Sequence, residues 1–119
     1  MWHPPEALRE IEETGDVTIV LELIDSFQND TTRRFERLHA AVARLDAATV
    51  KSEAHAMQGS ARQMGAEALA DLCRAVEASA AERNWLELEG QVEQADLRFA
   101  EARNAMAEYV KDRWPATCL

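Results

Sequence analysis

The sequence has little proline and glycine, and this shortage excludes most structures that depend on turns. The three prolines are Pro4, Pro5 and Pro115, so residues 6–114 lack the strongest helix breaker. Glycine occurs four times in 119 residues, whereas alanine, the best helix former, occurs 22 times. No stretch alternates apolar and polar residues long enough to indicate a strand. We therefore predict an all-α protein.

Positive charge and long apolar runs are also scarce. Thirteen Lys and Arg residues against 22 Asp and Glu give a net charge of −9, which disfavours binding to nucleic acid or to an anionic membrane. The best apolar run, residues 17–21, ends at Glu22, and a membrane-spanning helix needs about 20 apolar residues. Residues 1–10 lack the basic start and apolar core of an export signal. We expect a soluble, cytoplasmic protein.

Length and cysteine content indicate a single domain without cross-links. The 119 residues fit one compact domain, 1–119, and Met1 with the short C-terminal tail favours a free-standing protein over an excised domain. Two cysteines, Cys73 and Cys118, are too few for a disulfide scaffold and lack metal-ligand spacing. We expect reduced thiols, with Cys73 in the core.

Apolar residues recur at helical spacing and predict six helices in an antiparallel four-helix bundle with one or two additional short helices. The expected boundaries are, in chain order, Pro5 to Thr14-Gly15, a cap at Asp16, a turn and cap at Asn29-Asp30-Thr31, a break at Asp46, a stop at Gly65, and an end near Arg83-Asn84. The predicted inward stripes include Phe35, Leu38, Val42 and Leu45, then Val50, Ala54, Met57, Ala61 and Met64, and finally Leu88, Val92, Ala95, Phe99, Ala102, Met106 and Tyr109.

Most catalytic motifs are missing. There is no phosphate-binding Gly-rich loop, no nucleophile elbow and no zinc-binding His-Glu-x-x-His helix. Glu36 and His39 match the Glu-x-x-His spacing of di-iron bundles, but such sites need two of these motifs and two further Glu residues. We therefore expect no metal site and interpret His39 as a solvated or flanking side chain.

A polar ridge lies beside the core stripe of the predicted fourth helix. His55 follows the core position Ala54 by one residue, which turns it about 100° away from the centre of the apolar face. Gln58, Gly59 and Arg62 share its stripe. A helical glycine costs about 1 kcal/mol relative to alanine, and a side chain at position 59 would cover the turn that carries His55. One explanation for Gly59 is that it leaves His55 accessible. The alternatives are that it permits close packing with a neighbouring helix or that it has no special role.

The stretch AHAMQGSARQMGAEAL, residues 54–69, resembles the signature of histidine-containing phosphotransfer (HPt) domains. That signature has an Ala-His pair, then a basic residue followed by Gly-Ser, and a Gly-Ala pair ten residues after the histidine. The resemblance extends over essentially the whole chain. One position differs, because the family usually has Lys where this sequence has Gln58.

The resemblance implies a phosphorelay intermediate. His55 would accept a phosphoryl group, through Nε2, from a receiver-domain aspartate or a sensor kinase, and pass it to a response regulator. Gln58 and Arg62 would contact the phosphoryl oxygens, with Arg62 replacing the charge of the missing Lys, while Gly59 gives access. Ser60 and Gly65 would support the motif.

The same resemblance implies that the chain is a carrier and not an enzyme, since no kinase or ATP-binding region is present. It needs no cofactor of its own, and Mg²⁺ is expected on the partner receiver. Receiver domains and a hybrid sensor kinase are the expected partners.

Two alternatives remain from the sequence: a decoy that binds receivers without efficient transfer, and a non-catalytic helical adaptor. Docking is expected around His55, while Leu8 and Ile11 are interpreted as lid residues covering the bundle in preference to docking residues. We expect a monomer, with pairing through the last helix as the alternative.

Overall fold

The structure, a computed structural model, describes residues 2–114. These residues form five α-helices and no strand: α1 (Glu6–Glu13), α2 (Val17–Ala43), α3 (Ala47–Gln63), α4 (Glu67–Glu82) and α5 (Trp85–Arg113). The prediction of an all-α protein is confirmed. No helix within residues 2–114 combines the length and the apolar character needed to cross a membrane. The expectation for Cys118 lies outside the described residues.

Helices α2 to α5 form the predicted antiparallel four-helix bundle, and α1 is the additional short helix. Loops of two or three residues join them, so consecutive helices run in opposite directions. Polar contacts between neighbouring helices agree with this order. Arg34 of α2 pairs with Glu53 of α3 at 3.1 Å. His39 of α2 lies 2.9 Å from a carboxylate oxygen of Asp96 on α5, which closes the ring of helices.

The core is one apolar cluster to which all five helices contribute. Every residue of the predicted α3 and α5 stripes is buried. Its largest fully enclosed side chains are Leu8, Leu38, Met57, Leu69, Leu88 and Met106. Cys73 is buried among them, and desolvation raises the pKa of its thiol to about 12, so it is a protonated core residue as expected.

The predicted turn at Asn29-Asp30-Thr31 is wrong, because α2 continues through it. Thr31 is buried and keeps the core stripe in register. The polar side chains find partners within the helix: Asn29 donates to Asp25 at 3.3 Å, and Arg34 pairs with Asp30 at 3.1 Å. Their capping ability is therefore satisfied one turn away without ending the helix.

Leu45 was predicted to face inward, and the structure corrects this, since it is 60% exposed. It adopts a left-handed conformation, φ 55°, just after the end of α2. The backbone amides of Leu45 and Asp46 donate to the carbonyl oxygens of Val42 and Ala41, which closes the helix end. This termination turns the Leu45 side chain away from the core, and Ala41 occupies the buried position.

The N-terminal segment and α1 cover one end of the bundle. Leu8 is 2% exposed and Ile11 packs against the core, which confirms their interpretation as lid residues. The indole nitrogen of Trp2 donates to the carbonyl oxygen of Met64 at 2.8 Å. At Gly65, φ is +78° and a Cβ would lie 2.7 Å from the carbonyl oxygen of His3, so the stop of α3 and the path of this segment both require glycine there.

The continuity of α2 gives a testable prediction at Asp30. Proline at this position would be tolerated in a turn, but inside a helix it removes a hydrogen bond and clashes with the preceding turn, at a cost of about 3 kcal/mol. We expect Asp30→Pro to lose about this much unfolding free energy relative to Asp30→Ala in urea denaturation. Equal stability of the two variants would contradict a continuous α2.

Candidate functional site

The core stripe of α3 leaves His55 on the surface. Ala54 and Met57 are buried on either side of it in the sequence, and the 100° rotation per residue carries His55 away from them. Its side chain is 74% exposed. The imidazole is therefore accessible to another macromolecule, as the sequence predicted.

Glu77 on α4 holds one nitrogen of this ring. Nδ1 of His55 lies 3.2 Å from both carboxylate oxygens of Glu77, which is itself 24% exposed. An ionised carboxylate only accepts hydrogen bonds, so this contact requires a proton on Nδ1. In the neutral ring, Nε2 then carries the free lone pair. The contact with Glu77 thus occupies Nδ1 and leaves Nε2 of His55 without a partner on Glu77.

Sequence reasoning missed the role of Glu77. It lies 22 residues after His55 and on another helix. Two signals were present in the sequence. The resemblance to HPt domains continues through Val76-Glu77, and Glu77 follows the core position Val76 by one residue, just as His55 follows Ala54. Pairing these two offsets requires the register between α3 and α4, which the sequence alone does not provide.

Gly59 lies one turn after His55 and has open space around it. A Cβ built on Gly59 would meet no atom within 4 Å. Close packing against a neighbouring helix therefore does not explain this glycine. Two of the explanations considered from the sequence therefore remain for Gly59. It keeps His55 accessible, or it has no special role.

His55 borders an open surface depression of about 340 Å³ between α3 and α4. The lining residues are Lys51, His55, Gln58, Arg74, Glu77, Ala78 and Ala81. Gln58 thus lies beside His55, as predicted. The depression contains two cationic side chains and one carboxylate, a composition suited to holding an anion next to the ring.

Arg62 does not share this depression. Its guanidinium pairs with Glu67 at 2.7 Å and with Asp71 at 3.2 Å. These contacts hold the Arg62 side chain against the N-terminal part of α4, at its first and fifth residues. The structure therefore does not bring Arg62 to His55, and it argues against the prediction that Arg62 supplies the charge missing at Gln58.

Ser60 and Gly65, the residues predicted to support the motif, lie away from the depression at His55. Ser60 is half-buried and borders a different depression, between α1, α2 and α3, together with Leu8, Phe27 and Met64. Gly65 ends α3. Neither residue lines the depression at His55.

His39 is a flanking side chain, as expected. It is half exposed, pairs with Asp96, and stacks on Phe35 with ring centroids 6.2 Å apart. Within residues 2–114, no group of three or more His, Cys, Asp or Glu side chains is arranged to hold a metal ion.

Comparison with known proteins agrees with this geometry. The family model of the Hpt domain matches residues 22–111. Histidine-containing phosphotransfer protein B (HptB) from Pseudomonas aeruginosa is similar in structure with a TM-score of 0.80 and 26% identity, over 92% of this chain and 96% of that chain. The HPT domain of a sensor hybrid histidine kinase from Shewanella shares the fold with a TM-score of 0.67 and 16% identity, over 86% of this chain and 88% of that chain. No curated protein matches the sequence.

The fold and the family match define an HPt-type helical bundle. This chain belongs to the Hpt domain family, whose members serve in phosphotransfer within phosphorelays.

The Glu77 contact predicts the tautomer of His55. In the neutral ring, the proton is expected on Nδ1, and Glu77→Ala is expected to shift the population toward the Nε2–H form, because the acceptor for Nδ1–H is removed. Imidazole ¹⁵N chemical shifts measure this ratio, with His39 as an internal reference. Unchanged His55 shifts in Glu77→Ala would show that Glu77 does not orient the ring.

Proposed function

We propose that the protein is a phosphorelay carrier that accepts a phosphoryl group on Nε2 of His55 from a receiver-domain aspartate, or from a sensor kinase, and passes it to the aspartate of a response regulator. The observation that supports this most directly is the exposed His55 ring with Nδ1 occupied by Glu77. The open turn at Gly59 supplies the approach for a partner surface.

In the proposed step, the Nε2 lone pair attacks phosphorus in line with the bond to the aspartyl oxygen. The new N–P bond forms as the P–O bond breaks, and the aspartate carboxylate leaves with the bonding electron pair. The proton stays on Nδ1, so the phosphorylated ring is cationic, and the Glu77 carboxylate stabilises that charge. Transfer onward reverses these changes on the second receiver.

Positioning and charge stabilisation are the main demands of phosphoryl transfer. We expect the receiver to bring the Mg²⁺ that stabilises the phosphoryl oxygens, with no cofactor bound to the carrier itself. The chain is then a carrier and not a kinase. A hybrid sensor kinase is proposed as the first donor in the relay, and the working form is proposed to be a cytoplasmic monomer.

A second candidate, a receiver-binding decoy, is favoured by one observation. The family's usual Lys is replaced by the uncharged Gln58. A decoy would bind receivers as tightly as a carrier does but accumulate little phosphate on His55. Binding and labelling measured on the same preparation separate the two functions.

The first test compares His55→Gln with His39→Gln. Incubation with Mg²⁺ and a panel of radiolabelled phospho-receivers should yield acid-labile, base-stable label on the wild type and on His39→Gln. His55→Gln should fall to background, because it lacks the nucleophile. Labelling of His55→Gln would refute the assignment, and receiver binding without label on the wild type would identify a decoy.

The second test uses the matched glycines 59 and 90, since a Cβ at either would contact nothing within 4 Å. Gly59→Ala and Gly90→Ala should each raise the unfolding free energy by up to about 1 kcal/mol through helix propensity. A larger side chain at position 59 would cover the turn that bears His55. Gly59→Leu should therefore slow transfer from a phospho-receiver by about tenfold, a barrier increase of about 1.4 kcal/mol, whereas Gly90→Leu should not. Equal rates for the two leucine variants would contradict a role for Gly59 in access.

A further inference from the structure

The contacts between α3 and α4 define their antiparallel register. His55 lies beside Glu77, and Arg62 reaches Asp71. Gln58 lies one turn after His55, and Arg74 lies one turn before Glu77. The same register therefore places Arg74 across the groove from Gln58, the position next to His55 where the sequence has no charge.

Arg74 is available to bind a ligand. It is exposed and borders the same depression as His55 and Gln58. Within residues 2–114 it forms no hydrogen bond and no ion pair with another side chain. Arg62, by contrast, is held by two carboxylates.

Once His55 is phosphorylated, the negative charge at the site calls for a positively charged side chain beside it. A phosphoryl group carries nearly two negative charges at neutral pH, and it would be next to the Glu77 carboxylate. Lys51 and Arg74 are the cations that line the depression. Lys51 lies one turn before His55 on α3, whereas Arg74 lies on the side of Gln58, on the opposite helix. Arginine also presents a planar fork of donors that matches two phosphoryl oxygens.

We propose that Arg74 contacts the phosphoryl oxygens on His55, opposite the Gln58 amide, and provides from α4 the positive charge that position 58 of α3 lacks. This inference rests on the proposed function. It makes Arg74 a phosphoryl-binding residue, with Glu77 as the positioning residue on the other nitrogen of the ring.

The experiment measures phosphorylation of His55 by two donors, a phospho-receiver with Mg²⁺ and the small molecule phosphoramidate. Phosphoramidate has no protein surface, so a defect with this donor reports on the phosphoryl group and not on docking. Arg74→Ala should lose about tenfold in initial rate with both donors, as expected for loss of a charged hydrogen bond. Arg33→Ala, which removes an exposed arginine of α2 that borders a different depression, is the matched control and should behave as the wild type.

Second-site rescue distinguishes phosphoryl binding from a structural role. Gln58→Lys places an ammonium group across the groove from position 74, so Gln58→Lys/Arg74→Ala should regain most of the rate. Thermal unfolding of Arg74→Ala should match the wild type, because the side chain is exposed and unpaired.

Several results would overturn the proposal. The first is a wild-type phosphorylation rate in Arg74→Ala, alone or together with a reduced rate in Lys51→Ala or Arg62→Ala. The second is a reduced rate of Arg74→Ala with the phospho-receiver but not with phosphoramidate. The third is a failure of Gln58→Lys to restore the rate of Arg74→Ala. Failure of the proposed function looks different, because the wild type would then take no label at His55 from either donor.

Discussion

The close antiparallel packing of α3 against α4 is the constraint on which the candidate site depends. Small residues are buried on both helices, with Ala54 and Ala61 on α3 and Ala70 and Cys73 on α4. They allow the two backbones to approach, so that polar side chains at the edge of the contact can meet across a narrow groove. The Glu77 carboxylate reaches His55 only because both residues flank this contact at the same level. A shift of one helix by a single turn would separate them by about 5 Å.

The site divides its tasks between the two helices. The α3 helix carries His55 and the open turn at Gly59, while α4 carries the Glu77 carboxylate that contacts the ring and Arg74, which we infer to bind the phosphoryl group. A carrier must accept and release the same group, so it benefits from modest, reversible stabilisation more than from a closed pocket. In the proposed function, an exposed ring with Nδ1 held by Glu77 would meet that requirement and would leave the rest of the chemistry to the partner. Glycine at position 59 lowers the stability of α3 relative to alanine. This cost is consistent with a function that needs access to His55 more than it needs a stable helix at this turn.

The sequence was sufficient to predict the features that depend on one helix at a time. Regular spacing from Leu88 to Tyr109 predicted the buried face of α5, and the one-residue offset from Ala54 predicted the exposure of His55. Features that depend on a competition between local capping and core burial, or on the register between two helices, were not predictable. At Asn29-Asp30-Thr31, local capping chemistry indicated a turn, but burial of Thr31 in the core stripe prevailed. The Glu77 contact and the capture of Arg62 by Glu67 and Asp71 both require knowledge of how α3 and α4 align.

The N-terminal segment and the end of α5 meet at one pole of an elongated molecule 49 Å long. The Trp2 ring packs edge-on against Tyr109 with centroids 5.6 Å apart, and Arg113 pairs with Glu12 at 2.6 Å. His55 lies near the middle of α3, about two turns from the helix end that Trp2 contacts. A fluorophore, a solid support or a fused domain attached at this pole would therefore leave the histidine face unobstructed, which makes the bundle suitable for tethered measurements of receiver encounter.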